Sequence, residues 1–341
     1  MERKIDWNCL ALNALAQYNV NATQLVFLGH SENVTFRVDT RNNQNFATSG
    51  EYDEQALFLF RIHYPIAELG DHIWQQDAVI ESELMWLNAL YQDTDLVVPY
   101  PVQNLSGSFI TSVGIDDISE TLNCTLLKWV DGSPLDTEPT PMQARRVGEL
   151  MAQLHQHNSF WQLPSGFTRP KYDWEQLHAS LMKLRSLIDD GTISVTNFAV
   201  LESVVQRISN VMTALEKTPT NWGLIHADLN EKNYIFYAGE ARPIDFSCCG
   251  FGYYLYDIAH TLLHLFPENR KSFISGYQSL RQLPDEYQSI LEAFFLGAMV
   301  NNFAFLAPQP NEHDYLLETV PYVSESFCSK YLKGEAFLFE L

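Results

Sequence analysis

The chain has 341 residues, 46% of them hydrophobic, and its 42 acidic and 21 basic side chains give a formal charge of -21 at pH 7. A field of that sign repels nucleic acid and anionic membrane surfaces, so we expect neither as a partner. The acidic excess either keeps the protein soluble or attracts a cationic substrate or Mg2+, and charge alone does not decide between these. The length exceeds what one hydrophobic core usually holds and predicts two lobes.

The first twenty residues and the cysteines indicate the compartment. The chain begins without the long apolar segment and small-residue cleavage site of a secretory signal. Its cysteines form no CxxC pair and no spacing with histidine that is typical of zinc, so reduced thiols are the expectation. They are Cys9, Cys124, Cys248, Cys249 and Cys328. These features predict a cytoplasmic protein without a structural metal.

The first part of the chain alternates strand-like runs with turn signals and predicts an antiparallel sheet. The runs cover residues 23–29, 33–40, 56–64, 108–113 and 124–130. Between the third and fourth runs, Ile80, Leu84, Leu87 and Tyr91 recur at helical spacing, which predicts one helix over 77–92.

After a connector rich in Pro, Asp and Thr at 130–141, the pattern becomes mainly helical. The predicted helices cover 142–158, 174–190, 198–217, 256–266 and 290–307. The last is interrupted by Asn301 and Asn302, and we expect a buried core helix that is too short and too polar to span a membrane. The change of pattern near residue 131 predicts an N-terminal lobe at 1–131 and a helical C-terminal lobe at 132–341.

One segment of the helical part breaks the pattern. The stretch "GLIHADLNEKNYIF" (223–236) is a polar loop between apolar flanks, and two short strands follow it around a turn at residues 238–239. The first strand follows Asn233 and the second is predicted to end at Asp245, so His226, Asp228, Asn233 and Asp245 would converge at one end of this hairpin. The alternative is a helix that begins at Asp228 as N-cap, with Glu231 completing a capping box. That alternative explains only two of the polar residues.

Phosphoryl transfer requires such a set of side chains. A carboxylate must orient the attacking hydroxyl and accept its proton, while other oxygen ligands hold Mg2+ on the nucleotide phosphates. Asp228 suits the first role, and Asn233 with Asp245 suits the second.

The motif H-x-D-x-x-x-x-N followed by I-D-F, here "HADLNEKN" (226–233) and "IDF" (244–246), resembles the aminoglycoside phosphotransferase, choline kinase-like and homoserine kinase type II-like enzyme family. The resemblance implies an α+β, bilobal protein kinase-like fold, with an antiparallel-sheet N-lobe that holds one main helix and a mainly helical C-lobe. It implies Asp228 as catalytic base, His226 as a brace for the loop, and Asn233 and Asp245 as Mg2+ ligands.

The activity implied by the resemblance is transfer of the ATP γ-phosphoryl group to a small-molecule hydroxyl. The acceptor would be a compound such as a cationic amino alcohol, an amino acid or an aminoglycoside, and the protein would be a monomer or a homodimer. A nucleotide-binding module with little turnover that acts through a protein partner stays open. So does a serine/threonine protein kinase, although no A-P-E element follows "IDF".

Two further segments carry the likeness. "GFGYYLYDIAHTL" (250–262) resembles the family's G-x-x-x-x-D-I-A segment, and Asp257 there is expected to tie backbone amides near the catalytic loop. "ELMAQLHQH" (149–157) resembles a helix ending in L-x-x-L-H, and His155 and His157 are interpreted as packing and capping residues. The sequence departs from many relatives at Ser247 and Cys248, where an acidic contact to Mg2+ or water would be missing.

In the N-lobe, Arg61 stands alone among apolar neighbours, so its charge should be paired. The resemblance implies that Arg61 replaces a strand lysine that contacts nucleotide phosphates, with Glu83 as its ion-pair partner. Glu81 is a weaker competitor for that pairing. A surface-reaching arginine is the alternative.

Two other segments would contribute to nucleotide binding. The stretch 28–38 would form a phosphate-covering turn with Gly29 and Ser31, but it holds only one glycine and a plain hairpin is equally open. The stretch 125–132 resembles the kinase hinge, where backbone groups around Val130 would read the adenine edge and Trp129 would wall the pocket. A plain buried strand is the alternative there.

Overall fold

The computed structural model describes residues 5–40, 56–66, 72–114 and 121–340. The chain divides into two compact units. Unit 1 comprises residues 1–131 and 164–168, and unit 2 comprises residues 132–163 and 169–341. Unit 1 is built on a sheet, and unit 2 is mainly helical.

Unit 1 contains a five-stranded antiparallel sheet in the order β1-β2-β3-β5-β4. Its strands are β1 (Ala22–His30), β2 (Val34–Thr40), β3 (Leu57–Ile62), β4 (Ile110–Gly114) and β5 (Thr121–Lys128). The period-2 pattern explains the core, because Val34, Phe36 and Val38 of β2 are all fully buried while the residues between them are partly exposed. The predicted sheet is confirmed.

The described part of unit 1 contains two α-helices. Helix α1 (Trp7–Leu15) was not predicted; its N-cap Asp6 accepts a hydrogen bond from the backbone N–H of Cys9, and Leu10 and Ala14 enter the sheet core. Helix α2 (Asp77–Asp93) matches its prediction except at Tyr91, which is half-exposed and stacks its ring on that of Tyr100 at a centroid distance of 3.9 Å. Leu90 takes the expected buried position instead.

The helices of unit 2 are α3 (Pro141–Asn158), α4 (Trp174–Leu184), α5 (Val195–Ala214), α6 (Tyr254–Leu263), α7 (Pro267–Gln278), α8 (Tyr287–Leu306), α9 (His313–Val323) and α10 (Ser329–Lys333). Helix α4 is shorter than predicted because a 3-10 turn, Arg185–Ile188, ends it. Helices α7, α9 and α10 were not predicted. Where α3 crosses α7, a Cβ added at Gly148 would collide with the backbone of Phe273, and one added at Gly276 would collide with the backbone of Arg145. The two backbones therefore touch at glycines.

Helix α8 is the buried core helix expected from the sequence, and it packs against α4, α5 and α6. Among the helices described, it is the one with the length and mean hydropathy, 1.5, of a membrane-crossing segment, although 56% of that segment is buried inside the protein. The expectation that it is too short and too polar for a span was therefore wrong. A core helix of a soluble protein passes the same test, so this is weak evidence for a membrane.

Short strands of unit 2 position the polar loop. Strands β6 (Lys171–Tyr172), β7 (Trp222–Ile225) and β10 (Gly250–Tyr253) form one small sheet, and β8 (Tyr234–Tyr237) pairs with β9 (Glu240–Pro243). The β8–β9 hairpin confirms the prediction, but β9 ends two residues before Asp245, whose left-handed backbone (φ +56°) does not continue a strand. The loop 226–233 joins β7 to β8 and contains no helix, so the capping-box alternative was wrong.

Candidate active site

The polar loop begins with a strained turn held by Asp257 of α6. Ala227 has φ +64°, a conformation that costs a residue with a Cβ about 1 to 2 kcal/mol. The fully buried Asp257 carboxylate accepts hydrogen bonds from the backbone N–H of His226 at 3.0 Å and of Ala227 at 2.7 Å. The predicted structural role of Asp257 is confirmed, and its two bonds compensate for the strain at Ala227.

The Asp228 carboxylate is held by two side-chain amides. Asn230 donates its amide to Oδ1 of Asp228 at 2.8 Å, and Asn233 donates to Oδ2 at 2.6 Å and to the Asp228 carbonyl at 2.9 Å. Asp228 is itself only half-buried. The carboxylate is therefore oriented by the loop and still accessible. Asn230 was missed in the sequence because it is not a position that the family motif specifies.

His226 connects the two chain segments that carry Asp228 and Asp245. Its ring is fully buried and packs on Phe246 at a centroid distance of 4.6 Å. Nδ1 accepts a hydrogen bond from the Asp228 backbone N–H at 3.4 Å, so Nε2 carries the proton and donates to the Ile244 carbonyl at 3.1 Å. Both ring nitrogens are thus used to join the loop to the residue before Asp245, which suits a brace.

Asp245 is exposed, and its Oδ1 accepts hydrogen bonds from the Ser247 hydroxyl at 2.6 Å and from the Ser247 backbone N–H at 3.3 Å. Ser247, which departs from the family pattern, therefore orients the carboxylate. Two residues that the sequence analysis did not identify bind the backbone that follows Asp245. The buried Arg169 donates to the carbonyls of Ser247 and Cys249, and Tyr172 donates to the carbonyl of Cys248 at 2.7 Å.

The donor set of Asn233 and Asp245 fits Mg2+. Because Asn233 commits Nδ2 to Asp228, its amide oxygen is left for another partner, and Asp245 has Oδ2 beyond its bonds to Ser247. Amide and carboxylate oxygens are the ligands that Mg2+ prefers. Within the described ranges no group of three or more His, Cys, Asp or Glu side chains forms a metal cage. Two protein oxygens suit an ion that keeps waters and relies on substrate phosphates.

In unit 1, the predicted ion pair between Arg61 and Glu83 is confirmed. Nη2 of Arg61 lies 2.7 Å from Oε1 of Glu83, and the two residues are only 3% and 2% exposed. The surface-reaching alternative was therefore wrong, and Glu81 is exposed as expected of the weaker competitor. Burial makes both partners necessary, because a single buried charge without its partner is strongly destabilising.

The segment with Gly29 and Ser31 is a hairpin. Gly29 lies within β1 at a bulge, without a positive φ, and a Cβ there would meet nothing within 4 Å. Ser31 starts the turn to β2, with its N–H donating to the Asn33 carbonyl at 3.2 Å. This local geometry is the plain hairpin that the sequence left open, and contact with phosphates stays a prediction.

At the predicted hinge, β5 ends at Lys128, and the Trp129 N–H donates to the Leu57 carbonyl at 3.1 Å. That amide is therefore used within the sheet of unit 1. Val130 is buried, and no hydrogen bond within the described residues engages its backbone. Adenine recognition, which stays a prediction, would thus depend on Val130 more than on the amide of Trp129.

The sequence model of the phosphotransferase enzyme family (APH) matches residues 66–291, which is more than half of the chain. The chain belongs to this phosphotransferase family. The matched range contains the loop 226–233, Asp245, Asp257 and the Arg61 partner Glu83. The resemblance found in the sequence is confirmed.

A curated relative is the amicoumacin kinase of Bacillus subtilis (strain 168), 22% identical over 254 residues that span 74% of this chain and 66% of the relative. Among solved structures, a microcompartment-associated aminopropanol kinase is 26% identical with a TM-score of 0.76, over 96% of this chain and 98% of that one. An amicoumacin kinase in complex with AMP-PNP, Ca2+ and Ami has 17% identity and a TM-score of 0.74, over 94% and 93%. These likenesses confirm the predicted α+β kinase-like fold of the phosphotransferase.

Proposed function

We propose that this phosphotransferase moves the γ-phosphoryl group of ATP to a hydroxyl of a small molecule, with Asp228 as the base. The observation that carries the proposal is the Asp228 carboxylate, oriented at both oxygens by Asn230 and Asn233 and still accessible. In this role Asp228 aligns the acceptor hydroxyl and takes its proton as the new P–O bond forms.

Asn233 and Asp245 would hold Mg2+, which when bound neutralises negative charge on the nucleotide phosphates. The nucleotide analogue and Ca2+ in the complex of an amicoumacin kinase support the use of a nucleotide with a divalent ion. The role of the protein is to fix the two metal ligands, Asn233 and Asp245, relative to the base Asp228. Asn233 does so through its bonds to Asp228, and His226 does so through its bond to the Ile244 carbonyl.

In this proposal residues 1–131 bind the nucleotide and residues 132–341 carry the catalytic loop and the acceptor site. Arg61 contacts the ATP phosphates while Glu83 holds its guanidinium in place. Gly29 and Ser31 cover the phosphates, the Trp129 ring lines the adenine pocket, and the Val130 backbone forms hydrogen bonds with the edge of the adenine ring. The buried ion pair supports the role given to Arg61, because a guanidinium that is held in place is ready to donate hydrogen bonds to phosphate oxygens.

The proposed acceptor is a cationic amino alcohol, ahead of an amino acid or an aminoglycoside. The 26% identity to an aminopropanol kinase over nearly the whole chain supports this order. The formal charge of -21 favours any cationic acceptor, an amino alcohol and an aminoglycoside alike. The protein would work in the cytoplasm as a monomer or homodimer, without nucleic acid or membrane partners.

The test is phosphorus NMR of the purified chain with Mg2+, ATP and each of a panel of acceptors: aminopropanol, ethanolamine, choline, homoserine, serine and aminoglycosides. We expect a phosphomonoester signal and ADP with at least one amino alcohol, and neither with Asp228→Asn. If ATP binds by calorimetry but no acceptor is phosphorylated and no ATP is hydrolysed, the chain is a nucleotide-binding module and the proposal is wrong.

A further inference from the structure

A buried row of three polar side chains lies behind the catalytic loop in unit 2. The Tyr277 hydroxyl of α7 lies 2.9 Å from Nδ1 of His155 on α3, and Nε2 of His155 lies 2.9 Å from Oδ2 of Asp257 on α6. None of the three side chains is more than 1% exposed. The row therefore spans three helices and ends on the carboxylate that holds the strained turn at Ala227.

The protons in this row have one consistent arrangement. An ionised Asp257 only accepts hydrogen bonds, so His155 donates from Nε2 and its Nδ1 is an acceptor. Tyr277 must then donate its hydroxyl proton to Nδ1. Burial is the main cause that lowers the pKa of His155, which favours the neutral ring. Burial would raise the pKa of Asp257, but the bond from His155 and further effects outweigh it and hold that pKa below its usual value.

Oδ2 of Asp257 is shared between the row and the loop. It accepts from His155 at 2.9 Å and from the His226 backbone N–H at 3.0 Å, while Oδ1 accepts from the Ala227 N–H at 2.7 Å. A rotation of the carboxylate would therefore release both loop amides together. Ala227 is held in a conformation that it would otherwise leave, and the next residue is Asp228.

We propose that His155 and Tyr277 are positioning residues for catalysis, which act through Asp257 to hold the Ala227 turn and so to present Asp228; this inference rests on the proposed phosphoryl transfer. Neither residue touches the reacting groups. Packing holds the two rings: His155 stacks on Tyr254 at a centroid distance of 4.4 Å and meets the Tyr277 ring edge-on at 5.6 Å. Arg281 lies over the Tyr254 ring and donates a hydrogen bond to the His155 carbonyl.

The first experiment compares Tyr277→Phe with Tyr253→Phe. Tyr253 is also buried and donates its hydroxyl to the carbonyls of Met212 and Leu215, so its variant loses hydrogen bonds in the same unit without touching the row. We expect Tyr277→Phe to lower kcat about three- to tenfold with little change in the KM for ATP. Tyr253→Phe should keep kcat even if it lowers the free energy of unfolding.

The second readout needs no turnover. Hydrogen exchange, followed by mass spectrometry on peptides that contain residues 226 and 227, should be faster in Tyr277→Phe than in the parent and unchanged in Tyr253→Phe. If the parent phosphorylates nothing, the proposed function fails, yet this readout still decides whether the row holds the turn. Unchanged exchange at these amides together with an unchanged kcat would overturn the inference.

A double-mutant cycle tests the route through Ala227. Glycine adopts a positive φ without strain, so in an Ala227→Gly background Tyr277→Phe should cost a smaller factor in kcat than in the parent. At His155, glutamine retains a donor and an acceptor whereas leucine retains neither, so His155→Gln should keep more of kcat than His155→Leu. Equal costs in both backgrounds, or equal losses with glutamine and leucine at matched unfolding free energy, would assign the row a structural role only.

Discussion

Asn233 donates one side-chain amide group to two oxygens of Asp228, the carboxylate Oδ2 at 2.6 Å and the backbone carbonyl at 2.9 Å. The proposed metal ligand thus fixes both the conformation of the proposed base and the loop between them. A change at Asn233 cannot alter one role without the other. Asn230, which holds the opposite carboxylate oxygen, has no proposed metal role and provides a matched comparison.

Replacing Asn233 and Asn230 separately with alanine should separate orientation from metal binding. Both variants lose one donor to the Asp228 carboxylate, so both should lower kcat, by about tenfold for a charge-assisted hydrogen bond. Only Asn233→Ala should also raise the Mg2+ concentration needed for half-maximal rate. Titration of the rate with Mg2+ at saturating ATP measures this difference, and equal Mg2+ dependence in the two variants would contradict the ligand role.

Asp228→Asn keeps the shape of the side chain and removes the proton acceptor. We expect kcat to fall by about a hundredfold or more, with little change in nucleotide affinity. Steady-state kinetics with the best acceptor and calorimetry with Mg2+ and an ATP analogue measure the two quantities. A variant that turns over at the parent rate would exclude Asp228 as the base.

Asp245→Asn tests the second metal ligand without disturbing the backbone, because asparagine tolerates the positive φ at this position. The loss of negative charge should weaken Mg-ATP binding by roughly tenfold or more while binding of metal-free ATP changes little. Ser247→Ala is the control, since it removes only the hydroxyl that donates to Asp245. If calorimetry finds the same Mg-ATP affinity in Asp245→Asn as in the parent, Asp245 is not a ligand.

The pair Arg61 and Glu83 should behave as one unit. Arg61→Ala should weaken ATP binding by the equivalent of about 1.5 to 3 kcal/mol, and Glu83→Ala should do less in that background than alone. Each single variant should also lower the free energy of unfolding by roughly 3 to 5 kcal/mol, because it leaves a buried charge without its partner. Loss of stability with intact ATP affinity and turnover would make this a structural ion pair only.

Stability should fall in mild acid partly because of His260, which is 6% exposed on α6. Burial, followed by the neighbouring His264, lowers the pKa of His260 to about 4. Between about pH 6.5 and pH 4, His260 is therefore protonated in the unfolded chain but neutral in the folded chain. The free energy of unfolding thus decreases as the pH falls through this range. We expect His260 to account for roughly 2 kcal/mol between pH 7 and pH 5. Urea unfolding at both pH values should give a smaller difference for His260→Gln, and an equal difference would exclude His260 as a cause.

Local patterns and single charges predicted much of this molecule. An arginine among apolar residues requires a partner, and the resemblance to the family identified Glu83 as that partner. The polar loop is visible as a polar run between apolar flanks, and the β8–β9 hairpin follows from the turn at residues 238–239. The strands β7 and β10, of four residues each, are too short for periodicity to distinguish them from loop.

Hydrogen bonds between residues far apart in the sequence escaped prediction for another reason. Arg169 reaches the carbonyl of Cys249, 80 residues further along the chain, and Tyr277 reaches His155 from 122 residues away. A carbonyl acceptor is present at every residue, so nothing in the sequence around Cys249 identifies it as the partner of an arginine. Asn230 was missed although it is local, because an asparagine in a loop usually serves the turn itself.

The two glycines at the crossing of α3 and α7 reverse a common rule of protein engineering. Glycine inside a helix is ordinarily the first candidate for replacement by alanine, which typically adds up to about 1 kcal/mol of stability. At Gly148 and Gly276 the added methyl would meet the opposite backbone, and a backbone cannot rotate away as a side chain can. Stabilising libraries for this chain should therefore leave both positions unchanged, since a wider gap between these helices would move Tyr277 away from His155.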